Sequence, residues 1–336
     1  MSSAPSPAQI AADPSWLAQA MDPGSGNVRM VRMSAAGYRS ESFLDDRIFQ
    51  SPREHQIVPW SAIETALHDG TRQDARWIFH IGHVGSTLLS RLIGELDRVL
   101  SVREPRILRD LATAQSSIDN YLPGIRRLLS RTFAPEDVAV VKATSFASEL
   151  AARLLPAGGR AIFVYATPQA YLGSCLAGDN TVKEVAVLAP SRAERMKDRV
   201  LLKGSIERPA YQVAAAWACE MTSLEQAATR LPPEAVHWID FDRLLSAVPD
   251  LLADAARFLG IAAPPDRVAA VAAGPLMHRY SKALEYEYSP QLRRDLIAEA
   301  SAEHATDIKG AIAMLEQAAL DSPLLASALE RSAVER

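Results

Sequence analysis

The sequence predicts an α/β fold: a parallel sheet covered by helices on both faces, with a helical insertion and a helical C-terminal tail. Two observations predict it. From Ala75 onward, short apolar runs of strand length alternate with longer stretches whose apolar residues recur every three or four positions, the pattern of βαβ units. Such alternation implies right-handed crossovers, which place helices on both faces of the sheet. The chain is also long enough, at 336 residues with 48% hydrophobic and 23% charged, for one large α/β domain with additions.

The predicted strands are WIFHIG (77–82), VLSVRE (99–104), DVAVVKA (137–143), RAIFVYA (160–166) and AVHWIDF (235–241). Between them lie the helical stretches GSTLLSRLIGELD, RILRDLATAQSSID running on through IRRLLSRTF, and SFASELAARLL. Residues 178–231 break the rhythm with charged, mostly helical sequence, and read as an insertion beside the sheet that forms a lid or substrate wall. After the last strand, RLLSAVPDLLADAARFLG is an amphipathic helix stopped by Gly260. The division expected is a partly irregular lead-in with one or two helices (1–72), an α/β domain (73–265), and a polar, aromatic loop followed by two helices packing on the core (266–336).

Composition removes several classes. Thirty-six Lys and Arg against 40 Asp and Glu give a net charge of -4, so no global positive field favours nucleic acid or an anionic membrane, and an anionic ligand needs a local site. Two cysteines, Cys175 and Cys219, build neither a disulfide framework nor a metal-ligand spacing, and no HExxH pattern occurs, so no metal is expected. The N-terminus lacks a basic segment leading into an apolar one, and no stretch approaches about 18 uninterrupted apolar residues. A cytoplasmic protein is expected.

The first strand runs into GHVGST and then a helix. Gly82 and Gly85 permit a tight turn, and the backbone N–H groups with the Ser86 and Thr87 hydroxyls form an anion nest at the positive end of the helix dipole. The GxxxxGK[ST] form is not met: Thr87 stands where its second glycine belongs, and no lysine precedes a hydroxyl residue. The plain alternative is a tight connection with no ligand.

The next strands end in chemistry. Glu104 falls at the carboxyl end of the second, where open α/β sheets bind ligands, flanked by Arg103 and Arg106. A carboxylate there can take a proton from a substrate hydroxyl, with the arginines holding it ionised or orienting an acidic substrate; the alternative is an Arg–Glu surface pair. Lys142 ends the third strand, where a cation neutralises charge developing on a transferred group. Beyond the fourth strand, Ser174 sits about two helical turns in, either a donor to a second phosphate or an ordinary helix serine.

This order of segments resembles the sulfotransferases that use 3′-phosphoadenosine 5′-phosphosulfate (PAPS) across residues 76–290, and a P-loop NTPase-like sheet is the fold the resemblance implies. HVGST (His83–Thr87) resembles the family's PxSGTT loop for the 5′-phosphosulfate; YATPQAYLGS resembles its 3′-phosphate segment; IDFDRLLSAVPDLLADAARFLGI resembles its closing strand, acidic turn and F-L-G helix. REPRIL and VVKATS are most similar to the tyrosylprotein sulfotransferase branch. The resemblance implies Glu104 as general base, Arg106 as a substrate- or base-orienting residue, and Lys142 as stabiliser of the leaving phosphate or the transferring sulfuryl oxygens. It assigns Gly82, His83, Val84, Gly85, Ser86, Thr87, Leu88 and Ser174 to the nucleotide, with Arg279, Ser281 and Lys282 of RYSK reaching back to it.

Two departures are visible. His83 stands where the family has Lys or Arg, which makes the loop's cation pH-dependent, and Ala166 stands where it has the arginine for the 3′-phosphate. Arg192, Arg195, Lys197 and Arg199 of the insertion are candidates to compensate. The implied reaction is sulfuryl transfer from PAPS to a hydroxyl of a small-molecule or peptide acceptor, releasing 3′,5′-ADP, with no nucleic-acid or membrane partner. Tyr165, Tyr171, Tyr211 and Trp217 are candidates for the acceptor pocket or for the core. Two readings compete: a nucleotide-dependent phosphotransferase or hydrolase of P-loop-like fold, and a catalytically silent nucleotide-binding relative.

Overall fold

A computed structural model of the protein describes residues 5–67, 71–114, 118–204, 206–279 and 289–334. Five parallel strands form the central sheet: β4 (Arg76–His80), β5 (Val99–Arg103), β6 (Val138–Lys142), β7 (Ala161–Tyr165) and β8 (Val236–Asp240); the last four lie within the segments expected from their apolar runs, and β4 starts one residue before its own. Their spatial order is β5-β6-β4-β7-β8, so the sheet's first strand in chain order lies in the middle and the chain leaves it in both directions. The crevice at that reversal, outside the carboxyl ends of the strands, is where such sheets hold ligands.

Both faces of this sheet are covered, which is why its strands read as continuous apolar runs rather than alternating ones. Trp77 stacks on Phe79 at 5.6 Å, Phe79 meets Phe163 at 5.9 Å, and Phe163 meets Trp238 at 5.1 Å, an aromatic ladder across β4, β7 and β8. The helix Val248–Leu259 ends as expected at Gly260, whose φ of 71° suits glycine.

The lead-in is more regular than its sequence suggested. An antiparallel sheet of β1 (Trp16–Asp22), β2 (Asn27–Arg32) and β3 (His55–Pro59) occupies it, with short helices and a 3-10 turn between. One buried core runs through both sheets, from Ile10 to Ala328. Arg131 fastens the lead-in by donating to the carbonyls of Asp13 at 2.8 Å and Trp16 at 2.6 Å. The stretch 178–231 holds the helices Asp179–Met196 and Pro209–Ala228, and the second is a core element packed beneath the first. Among the described residues the tail carries a short helix, Pro265–Ala272, ahead of the loop and three helices after it where two were expected: Pro290–Glu303, Ala305–Ala319 and Pro323–Val334. Among the described residues, no helix is long and apolar enough to cross a membrane.

Candidate functional site

A cleft of about 860 Å³ opens at the carboxyl edge of the central sheet. The turn Gly82–Gly85 forms one wall, Glu104 and Lys142 the floor, Phe43, Asp45, Asp46 and Arg47 of the lead-in a second wall, and the Asp179–Met196 helix a third through Glu184, Val187, Leu188 and Arg192.

The turn has the backbone of an anion nest. His83 and Gly85 both take positive φ, 59° and 61°, and the helix Ser86–Gly94 starts immediately after. Only glycine fits at position 85: a Cβ would stand 1.8 Å from Cζ of Phe241. That ring is set by the end of β8, where the Asp240 carboxylate caps the next helix by accepting from the N–H groups of Asp242 at 2.7 Å and Arg243 at 3.3 Å. Ser86 and Thr87, both nearly buried, face the cleft at the helix's N-terminus.

Parallel pairing of β5 with β6 puts Arg103 opposite Lys142, and the next N–H, that of Glu104, donates to the Lys142 carbonyl at 2.7 Å. Glu104 then turns through a positive φ of 51°, a conformation that carbon side chains rarely adopt, and its carboxylate accepts from Lys142 Nζ. His80, the last residue of β4, brings Nε2 within 3.8 Å of the same carboxylate oxygen. Burial pushes the Glu104 carboxyl up, but Lys142 and then His80 outweigh it and hold it below the ordinary glutamate value. Both ring nitrogens of His80 face carbonyl oxygens, Nδ1 that of Ile81 at 2.7 Å and Nε2 that of Ala143 at 2.9 Å. Those contacts favour the charged ring, yet burial and then Lys142 prevail and push its pKa down to about 3, so His80 is neutral near pH 7.

Glu104, Lys142, Gly82, His83, Val84, Gly85, Ser86, Thr87 and Arg106 all line this one cleft. His83 Nε2 lies 3.8 Å from the Glu184 carboxylate across it. Arg106 stands at the rim, half-exposed, bonded to Asp110 at 3.1 Å and to Asp46.

Other expected residues lie elsewhere. Leu88 points into the core, and Ser174 is half-buried on the helix Pro168–Leu176 outside the cleft lining. Arg103 does not flank the carboxylate from the cleft: it is 1% exposed and binds the carbonyls of Arg39 at 3.2 Å and Glu41 at 2.6 Å, pinning the lead-in to β5. Of the four cations offered as compensation, Arg195 and Arg199 bind Glu149 at 3.0 and 3.2 Å and Lys197 pairs with exposed Glu194; Arg192 alone lines the cleft. Tyr165, Tyr171 and Trp217 belong to the core, and Tyr211 packs against Gly310. Ala166 is enclosed, with its carbonyl taking a 2.9 Å bond from Trp217 Nε1. Arg279 is exposed and outside the lining; Ser281 and Lys282 lie outside the described residues.

Sequence reasoning missed His80, Phe43 and Glu220. His80 reads as strand interior, and Phe43, whose ring lies 5.7 Å from Lys142 Nζ, sits in a segment with no motif. Glu220 is wholly buried in the Pro209–Ala228 helix; its carboxylate accepts from the Gly82 N–H and from Arg192 Nε at 3.1 Å and Nη2 at 3.0 Å. An acid inside the apolar run AAAWACEM was the available signal.

The sequence matches no protein-family model and no curated protein. Among solved structures, the chain is similar to a sulfotransferase domain from the curacin biosynthetic pathway: 14% identity over 72% of this chain and 97% of that one, TM-score 0.44. A sulfotransferase from Alicyclobacillus acidocaldarius gives 13% identity over 70% of this chain and 94% of its own, TM-score 0.38. A mouse sulfotransferase complexed with PAP gives 10% identity over 77% of this chain and 89% of its own, TM-score 0.41. The chemistry therefore has to be read from the cleft's own residues.

Proposed function

We propose that the chain is a sulfotransferase that moves a sulfuryl group from PAPS to the hydroxyl of an acceptor. The observation that carries this reading is the meeting of three parts in one cleft: the 82–87 nest, the Glu104 carboxylate and the Lys142 ammonium. The nest and helix N-terminus would hold the phosphosulfate. Glu104, ionised at neutral pH, takes the acceptor's proton; the acceptor oxygen forms a bond to sulfur while the bond from sulfur to the bridging phosphate oxygen breaks in line, and 3′,5′-ADP leaves with the electron pair. Lys142 neutralises charge on the transferring or departing oxygens, and the chain otherwise contributes positioning. Arg106 at the rim would orient the acceptor or the base. The glutamate base and the sequence REPRIL make the tyrosylprotein branch the nearest in pattern. No metal enters this mechanism.

One observation favours a second reading, nucleotide-dependent phosphoryl transfer on the same nest: Ala166 is enclosed and Ser174 lies outside the cleft lining, so neither grips a 3′-phosphate within the cleft. A ligand that binds only the folded chain raises its melting temperature, so a thermal titration with 3′,5′-ADP, 5′-AMP and ATP with Mg²⁺ separates the two. Preference for 3′,5′-ADP supports sulfuryl transfer; preference for ATP with Mg²⁺ replaces it with phosphoryl transfer.

A further inference from the structure

His83 and Arg192 in the cleft lining, and Glu220 buried behind it, have no part in the transfer step proposed above. Arg192 is 3% exposed yet lines the cleft, on the helix that faces the nest. Its Nε and Nη2 both donate to one oxygen of Glu220, and the other oxygen of the same carboxylate accepts from the N–H of Gly82, the first residue of the turn. A single buried carboxylate thus ties the guanidinium to the backbone of the nest. The third nitrogen, Nη1, is buried and meets no hydrogen-bond partner among the described residues.

A structural ion pair alone leaves that arrangement unexplained. A buried N–H without a partner is costly, and a guanidinium bonded along one edge keeps its remaining nitrogen available for a second, charge-assisted bond. The other inner cation, Lys142, is already engaged by Glu104, and His83 faces Glu184. A group of two or more negative charges in the nest needs a cation fixed relative to the turn, and Arg192 is held to it by hydrogen bonds at one remove, through Glu220.

We propose that Arg192 is the cation that binds an oxyanion in the 82–87 nest, and that Glu220 is the positioning residue that holds it against the turn. The ligand class is a phosphoryl or sulfuryl group carried on a phosphate, and the proposal rests on the sulfotransferase reading only for which nucleotide carries it. It moves Arg192 from a candidate for a distant 3′-phosphate to the reacting end of the donor. On this account Arg192 touches the ligand, whereas Glu220 acts through Arg192 and Gly82.

The test is calorimetric binding of inorganic pyrophosphate and of 3′,5′-ADP to the full chain and to the double variant Arg192→Met with Glu220→Gln, which removes both charges together, an exchange that buried ion pairs tolerate. Near-ultraviolet circular dichroism confirms that the variant keeps its packing. Loss of one charge-assisted bond weakens both probes by roughly 10- to 100-fold. Should the double variant fail to fold, Arg192→Lys keeps the charge for Glu220 but lacks the third nitrogen, and the expected loss is roughly threefold to tenfold. Undiminished pyrophosphate affinity in a folded variant, or no pyrophosphate binding by the unaltered chain, overturns the proposal. A loss for pyrophosphate in a chain that does not distinguish 3′,5′-ADP from 5′-AMP leaves Arg192 in its role and removes the sulfotransferase reading instead. Pyrophosphate and 3′,5′-ADP bound equally by both forms, with 3′,5′-ADP preferred over 5′-AMP, does the reverse.

Discussion

Glu104 and Lys142 meet twice: the Glu104 N–H donates to the Lys142 carbonyl at 2.7 Å, and the Lys142 ammonium donates to the Glu104 carboxylate at the cleft floor. The first contact is the last rung of the β5–β6 ladder, so backbone register delivers the two side chains to one place. Base and cation are therefore parts of one unit, and replacing either changes the other.

That coupling is measurable in stability. Lys142 is 1% exposed, and Lys142→Met leaves the Glu104 carboxylate at the cleft floor without its ammonium, at an expected cost of about 3 kcal/mol. Adding Glu104→Gln removes the orphaned charge and should recover at least half of that loss. Urea denaturation of both single variants and the double variant gives the coupling energy; additive losses would show that the two side chains do not act on each other.

The nest depends on one missing methyl group. Gly85→Ala places a Cβ inside the Phe241 ring and asks alanine to take a φ of 61°, so the turn or the helix Phe241–Ser246 has to move. An expected loss of roughly 2–4 kcal/mol in stability accompanies loss of anion binding. Phe241→Ala in the same chain relieves the clash and should restore part of the stability. A Gly85→Ala chain with unaltered melting temperature and anion affinity would show that the turn is not packed as described.

His80 supplies a pH signature. Its folded pKa of about 3 lies below the ordinary 6.5, so below pH 6.5 the unfolded chain binds a proton that the folded chain refuses. The stability due to the neutral ring is fully present above pH 6.5 and is lost as the pH falls from there toward 3. Between pH 7 and pH 5 the unaltered chain should lose about 2 kcal/mol more than His80→Gln. Equal pH slopes for the two chains would mean that the ring titrates normally in the fold.

How much of this was legible follows from how each part is encoded. The central strands were visible because strands buried on both faces are continuous apolar runs, and Glu104 and Lys142 were visible because they end such runs at the edge where these sheets hold ligands. The lead-in sheet was not: β1 carries an irregularity between Ala18 and Ala20 that breaks the two-residue alternation, and its buried Gln19 reads as polar surface. Glu220 lies 138 residues from the Gly82 N–H it accepts from, and no local pattern encodes so long a contact. Arg103 and Arg106 have the same sequence neighbourhood and opposite fates, since strand alternation turned one under the lead-in and the helix start turned the other to the rim.

The most direct measurement of the central claim is release of 3′,5′-ADP from PAPS, followed with phenols, sugars and tyrosine peptides as acceptors, by the unaltered chain and by Glu104→Gln. General-base catalysis supplies roughly 10²- to 10⁴-fold, so the variant should be slower by that factor while binding 3′,5′-ADP within about threefold of the unaltered affinity. Equal rates from the two chains would take the base assignment away from Glu104, and no release from PAPS by a chain that turns over ATP with Mg²⁺ would contradict sulfuryl transfer itself.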